Sequence, residues 1–121
     1  MKKILVFDDE EAIRMLYELE LSEEGYEVVC SGNASQCLEL IRKHNPNVLV
    51  MDKKMGKYDG LEVLRTIRKH FPALPLILCT AYSSHDSEEG DKGVDFYAAK
   101  SSDFEELKVK VKAALKLRRA T

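Results

Sequence analysis

Val6-Phe7-Asp8-Asp9-Glu10-Glu11 is the stretch on which the reading of this chain turns. Residues 3–7 read as a short buried strand, and four carboxylates follow it without a break. The apolar run from Ile4 to Phe7 is what a parallel strand covered on both faces requires. A strand ending in adjacent carboxylates sets hard oxygen ligands at the edge of a sheet. Such ligands suit Mg²⁺, which takes few protein carboxylates and keeps waters or phosphate oxygens in its other positions. The competing reading is an ordinary helix start, with Asp8 or Asp9 as its cap and Glu10 and Glu11 in its first turn. The ends of three later strands decide between the two.

Outward from that stretch, a helix is expected over about 11–24, with Ala12, Ile13, Leu16 and Leu19 recurring at helical spacing and Gly25 suited to end it. Residues 26–30 read as a second strand. Asn33 can cap a helix carrying Ala34, Cys37, Leu38 and Ile41 on one face. Residues 48–51 are a third, wholly apolar strand, and Asp52 follows at once. A loop is expected over 53–58. Asp59 and Gly60 then open a helix with Leu61, Leu64 and Ile67 on one side, and Phe71-Pro72-Ala73-Leu74-Pro75 breaks it. Residues 76–79 are a fourth apolar strand ending in Thr80, and 94–98 a fifth ending near Lys100. Ser102, with Glu105 three residues on, forms a capping box for a last helix buried through Phe104, Leu107, Val111, Ala114 and Leu115. Lys108, Lys112 and Lys116 are expected on its solvated face. Residues 83–92 contain no apolar side chain, so the helix due there has nothing to bury and is expected to be short or mobile.

Five strands alternating with helices imply an α/β fold, a parallel sheet with right-handed crossovers. The 121 residues suit one domain, with the chain stopping just after the last helix, so no attached second domain is expected. With 45% hydrophobic and 33% charged residues the composition is globular, and a net charge of −2 gives no basic footprint for nucleic acid. No apolar run approaches a membrane span, and the four apolar residues after Lys3 are too few for a signal peptide. Cys30, Cys37 and Cys79 lack metal-ligand or CxxC spacing, which fits reduced thiols in a cytoplasmic protein. His44, His70 and His85 are read as surface residues.

In a doubly wound sheet, ligands bind outside the carboxyl ends of the strands, where strand order reverses. Asp8 and Asp9, Asp52, Thr80 and Lys100 all fall on that edge. Three clustered carboxylates repel one another and need a cation. A divalent metal and a lysine would neutralise them and leave room for a dianion. The chemistry that fits is phosphoryl transfer. Asp52, alone at a central strand end, is the best nucleophile for an acyl phosphate, with metal and lysine stabilising the transferring group.

On Asp8-Asp9, Asp52, Thr80 and Lys100 and their spacing, the whole chain resembles a response-regulator receiver domain of two-component signalling, of the stand-alone type. The resemblance implies a flavodoxin-like five-stranded sheet in the order 2-1-3-4-5 with helices on both faces. It implies that Mg²⁺ is bound by Asp9, Asp52 and the backbone carbonyl of Lys54, with Asp8 acting through water. It implies that Asp52 takes a phosphoryl group from a phosphohistidine on a histidine kinase or phosphotransferase. Lys100 would pair with a phosphoryl oxygen and Thr80 would hydrogen-bond it. Tyr97 would turn from an outward to an inward rotamer, a coupled move that biases a two-state equilibrium toward an output protein. Beyond self-phosphorylation and self-dephosphorylation, no enzymatic activity is expected.

The sequence departs from that family's pattern in three places. Gly56 stands where a proline is usual four residues after the nucleophile. Ser101 stands where a proline, often cis, follows the lysine; a non-proline cis bond costs about 2.5–4 kcal/mol, so trans is expected. The third departure is the polar 83–92 segment. In this family the residues two beyond the nucleophile and two beyond the threonine tune phosphoryl lifetime. Here they are Lys54 and Tyr82, both large, from which slow self-dephosphorylation is expected. The altered residues also leave a second reading, a non-phosphorylated interaction module on the same scaffold. An aspartyl phosphatase fits poorly, since Lys54 stands where those enzymes carry a general acid.

Overall fold

The computed structural model describes residues 1–81, 93–100 and 104–117. Along the chain run β1 (Lys3–Phe7), α1 (Glu11–Ser22), β2 (Glu27–Ser31), a 3-10 turn (Ala34–Gln36), α2 (Cys37–His44), β3 (Val48–Asp52), β4 (Lys54–Met55), β5 (Tyr58–Asp59), α3 (Gly60–His70), β6 (Leu76–Thr80), β7 (Phe96–Ala99) and α4 (Glu105–Lys116). Five of the strands pair in parallel in the order β2-β1-β3-β6-β7. With the small β4–β5 hairpin set aside, this is the expected 2-1-3-4-5 flavodoxin-like sheet.

Successive residues of the central strands point to opposite faces, and each face is covered by its own pair of helices. Ile4, Val6, Val48, Val50, Ile77 and Cys79 pack against Tyr17 and Leu21 of α1 and Leu107, Val111 and Ala114 of α4. Leu5, Phe7, Leu49, Met51, Leu76 and Leu78 pack against Cys37 and Ile41 of α2 and Leu64 and Ile67 of α3. All three cysteines are free thiols, and burial pushes Cys37 and Cys79 up to about 12 and Cys30, with neighbouring Glu18 adding, up to about 11.

Four expectations need correction. In α1 the apolar stripe taken for the core face mostly meets solvent: Leu16 is 42% and Leu19 55% exposed, and Ala12 is exposed, so only Ile13 of that set touches the core. The helix carries two apolar faces, and the one inside holds Tyr17 and Leu21, where the aromatic ring buries more area and stands edge-on to Phe104, centroids 5.5 Å apart. The 53–58 loop is a hairpin, with Lys54 paired to Asp59 and Met55 to Tyr58. The last helix starts at Glu105 with Phe104 in the cap position and no side-chain cap, because the chain enters it with Phe104 already packed on the core; Ser102 lies outside the described residues. Lys108 is not on a solvated face: its ammonium is 2.9 Å from Glu20, tying α4 to α1. The 83–92 segment, Tyr82, His85 and Ser101, and with it the Lys100–Ser101 peptide, also lie outside the described residues.

Candidate functional site

Three strands of the sheet end in polar groups that are nonetheless buried: Asp8 after β1, Asp52 at the end of β3 and Thr80 at the end of β6. They are held there by the backbone. The Asp8 N–H donates to the Ser31 carbonyl, and the Asp8 carbonyl accepts from Arg14 Nη1 at 2.8 Å. Asp8 Oδ1 accepts from the Glu10 N–H, so the acid turns its own chain into α1. Asp52 Oδ1 accepts from the Lys54 N–H at 3.2 Å, and the Lys53 N–H donates to the Cys79 carbonyl. The Lys100 N–H donates to the Thr80 carbonyl at 2.6 Å.

Lys100 joins the carboxylates. Its Nζ lies 2.7 Å from Asp52 Oδ2, 3.2 Å from Asp8 Oδ2 and 3.4 Å from Glu10 Oε1. Burial pulls the ammonium pKa down, but the hydrogen bond and charge of Asp52, with the charge of Asp8, outweigh it and leave Lys100 above the ordinary lysine value. The Asp8 pKa is raised, chiefly by burial. Its Oδ2 is wholly buried, with the Lys100 ammonium 3.2 Å away.

Above these groups is a cavity of about 510 Å³ lined by Asp9, Glu10, Asp52, Lys53, Lys54, Gly56, Thr80, Ala81 and Lys100. Its floor is the three strand ends and one wall is the β4–β5 hairpin. The hairpin turns at Gly56-Lys57, where Gly56 has φ +60°, the left-handed region that a two-residue hairpin turn uses and proline cannot enter. Asp9 Oδ2 is 3.5 Å from where a Gly56 Cβ would stand. Gly60 lets α3 start directly under the site: a Cβ there would meet the Asp52 and Lys53 carbonyls at 2.6 Å.

The structure thus brings Asp8, Asp9, Asp52, Thr80 and Lys100 together at one edge, as the spacing predicted, and puts Lys54 on the rim. Tyr97, one strand over, is half-buried against the α2–α3 side of the core. Glu10, read from the sequence only as a first-turn acid, belongs to the site as well. Oxygens of Asp8, Asp9 and Glu10 lie within 4.8 Å of one another, a donor set of hard oxygens that fits Mg²⁺. Four acids in a row were the signal for Glu10, but nothing local says which of them faces Lys100.

A family model of the response regulator receiver domain matches residues 4–112. Among solved structures, the chain is 42% identical to the response regulator protein TrrA from Thermotoga maritima in complex with Mg²⁺ and BeF, covering 94% of this chain and 99% of that one with a TM-score of 0.85. TrrA also appears in a complex with the histidine kinase ThkA, again 42% identical, covering 96% and 100% of the two chains with a TM-score of 0.86. A receiver domain from Clostridium thermocellum is 27% identical, covering 95% and 94%, with a TM-score of 0.84.

Proposed function

The chain belongs to the response regulator receiver domain family, and from that premise we propose that it is the phosphoryl acceptor of a phosphorelay. Asp52 accepts from the phosphohistidine of a histidine kinase or histidine phosphotransferase. The observation that carries this reading is the Asp52 carboxylate, buried at a strand end and held 2.7 Å from Lys100 Nζ, beneath a cavity open to a donor. An Asp52 carboxylate oxygen attacks phosphorus, the bond from phosphorus to the histidine nitrogen breaks, and that nitrogen keeps the electron pair and takes a proton. Lys100 places its ammonium where negative charge on the transferring group is left. Asp8 and Asp9, with Asp52 and the Lys54 carbonyl, are the groups that would hold Mg²⁺; when bound, it supplies the second positive charge facing the phosphoryl oxygens. The chain is then a switch with no turnover beyond its own phosphorylation and dephosphorylation. Thr80 donates a hydrogen bond from its hydroxyl to an oxygen of the new phosphoryl group, and Tyr97 follows inward, reshaping a face for an output protein.

A protein donor has a face to rest on. Met15, Leu16 and Leu19 are 66%, 42% and 55% exposed on α1, the helix that starts beside Asp9 and Glu10. Apolar residues grouped beside a site that must be reached by another protein's histidine fit a docking surface. Lys54 stands on the cavity rim, where it can crowd an attacking water, so a long-lived acyl phosphate is part of the proposal; Lys54→Ala should shorten its half-life.

Incubation with acetyl phosphate tests the reading by intact mass. The expected result is a single phosphoryl adduct that requires Mg²⁺ and is absent from Asp52→Ala. A chain that binds Mg²⁺ yet gains no adduct would instead be an interaction module on this scaffold.

A further inference from the structure

Among the described residues β7 is the outermost strand on its side of the five-stranded sheet. Two of its backbone groups are held by α4. Glu106 Oε1 accepts from the Ala99 N–H at 3.0 Å, and Lys110 Nζ donates to the Tyr97 carbonyl at 2.7 Å. The two side chains are one helical turn apart and pair with each other, Lys110 Nζ 3.8 Å from Glu106 Oε2. Strand and helix are therefore closed into a ring: Tyr97, Ala99, Glu106, Lys110.

The residue after this ring is Lys100. Its own N–H is bound to the Thr80 carbonyl, and its ammonium reaches Asp52, Asp8 and Glu10. Ser101 follows it, so no proline ring stiffens the chain on that side. We propose that the Glu106–Lys110 pair of α4 is the positioning device for Lys100: by gripping β7 at Tyr97 and Ala99 it fixes the backbone from which the ammonium reaches Asp52. The inference rests on the reading of Asp52 as the phosphoryl acceptor. It also makes the α4 face sensitive to the site, because any shift of β7 that accompanies phosphorylation must pull on Glu106 and Lys110. Neither residue touches the reacting atoms.

The test compares wild type, Glu106→Ala, Glu106→Gln and Lys110→Met. It reads the rate of acyl phosphate formation from acetyl phosphate, the Mg²⁺ dissociation constant, the melting temperature and amide exchange at Ala99 and Lys100. Glu106→Ala should label at least about threefold more slowly, the size of one lost hydrogen bond. Its Mg²⁺ affinity should be unchanged, and exchange at both amides should be faster. Glu106→Gln keeps the oxygen that accepts from Ala99 and should label at close to the wild-type rate. Lys110→Met should fall between, and supplies the answer if Glu106→Ala folds poorly. A Glu106→Ala chain that folds and labels as fast as wild type overturns the inference, and so does a Gln variant as slow as the Ala variant. If the wild type itself takes no phosphoryl group, the reading of Asp52 fails first and the inference falls with it.

Discussion

Lys100 Nζ stands 2.7 Å from Asp52 Oδ2 and 3.2 Å from Asp8 Oδ2, so one ammonium bridges the ends of two neighbouring strands. Two largely buried carboxylates are thereby kept side by side, at the position where the chain is proposed to accept a phosphoryl group. Removing the bridge leaves both acids without their counter-charge. Lys100→Met should lose about 1–3 kcal/mol of stability in Mg²⁺-free buffer, measured by urea unfolding. Adding Mg²⁺ should recover more stability in this variant than in wild type.

Asp8, wholly buried and clustered with Asp9 and Glu10, makes a different prediction. A cation bound to the folded chain alone stabilises it by about 1.4 kcal/mol at ten times its dissociation constant. The wild-type melting temperature should rise with Mg²⁺, and Asp8→Asn should lose more than half of that rise. An Asp8→Asn chain that gains as much from Mg²⁺ as wild type would remove Asp8 from the metal site.

Gly56 at φ +60° sets the hairpin wall of the cavity. Gly56→Ala places a side chain in the left-handed region and should cost about 1–2 kcal/mol. Gly56→Pro, although it installs the residue usual in the family, demands φ near −65° and should cost about 3 kcal/mol or more and weaken Mg²⁺ binding. Equal stability of Gly56→Pro and wild type, by urea unfolding, would mean that the hairpin turn is not as described.

The exposed apolar face of α1 separates the donor from the chemistry. Leu16→Glu and Leu19→Glu lie outside the core and should change stability by no more than about 0.5 kcal/mol. Labelling by acetyl phosphate should be unaffected. Transfer from a phosphorylated histidine kinase or phosphotransferase should slow by about fivefold or more, the effect of losing a modest contact residue. Unchanged transfer would place the donor on another face.

The strand ends were legible in the sequence because each is an apolar run stopped by a polar residue: Phe7 by Asp8, Met51 by Asp52, Cys79 by Thr80. In a parallel sheet that pattern puts those side chains on one edge, whereas the strand order followed only from the resemblance to receiver domains. The inner face of α1 was not legible, since Leu16 and Leu19 repeat as well as Tyr17 and Leu21 do, and only packing on Phe104 decides which set turns inward. The hairpin around Gly56 was hidden because Lys54-Met55 and Tyr58-Asp59 are too short to show alternation. The grip of Glu106 on Ala99 and the reach of Glu10 to Lys100 were out of sight for another reason. Each joins residues brought together only by the fold, and a surface glutamate looks the same in a sequence whether or not it has such a partner.

The central claim is that Asp52 becomes an acyl phosphate, and trapping that bond tests it most directly. Borohydride reduces an aspartyl phosphate to homoserine with release of phosphate. Wild-type chain treated with acetyl phosphate and Mg²⁺, then reduced and mapped by peptide mass spectrometry, should carry homoserine at position 52 and at no other aspartate. A phosphoryl adduct that survives borohydride, or homoserine at Asp8 or Asp9 with none at 52, would contradict the account.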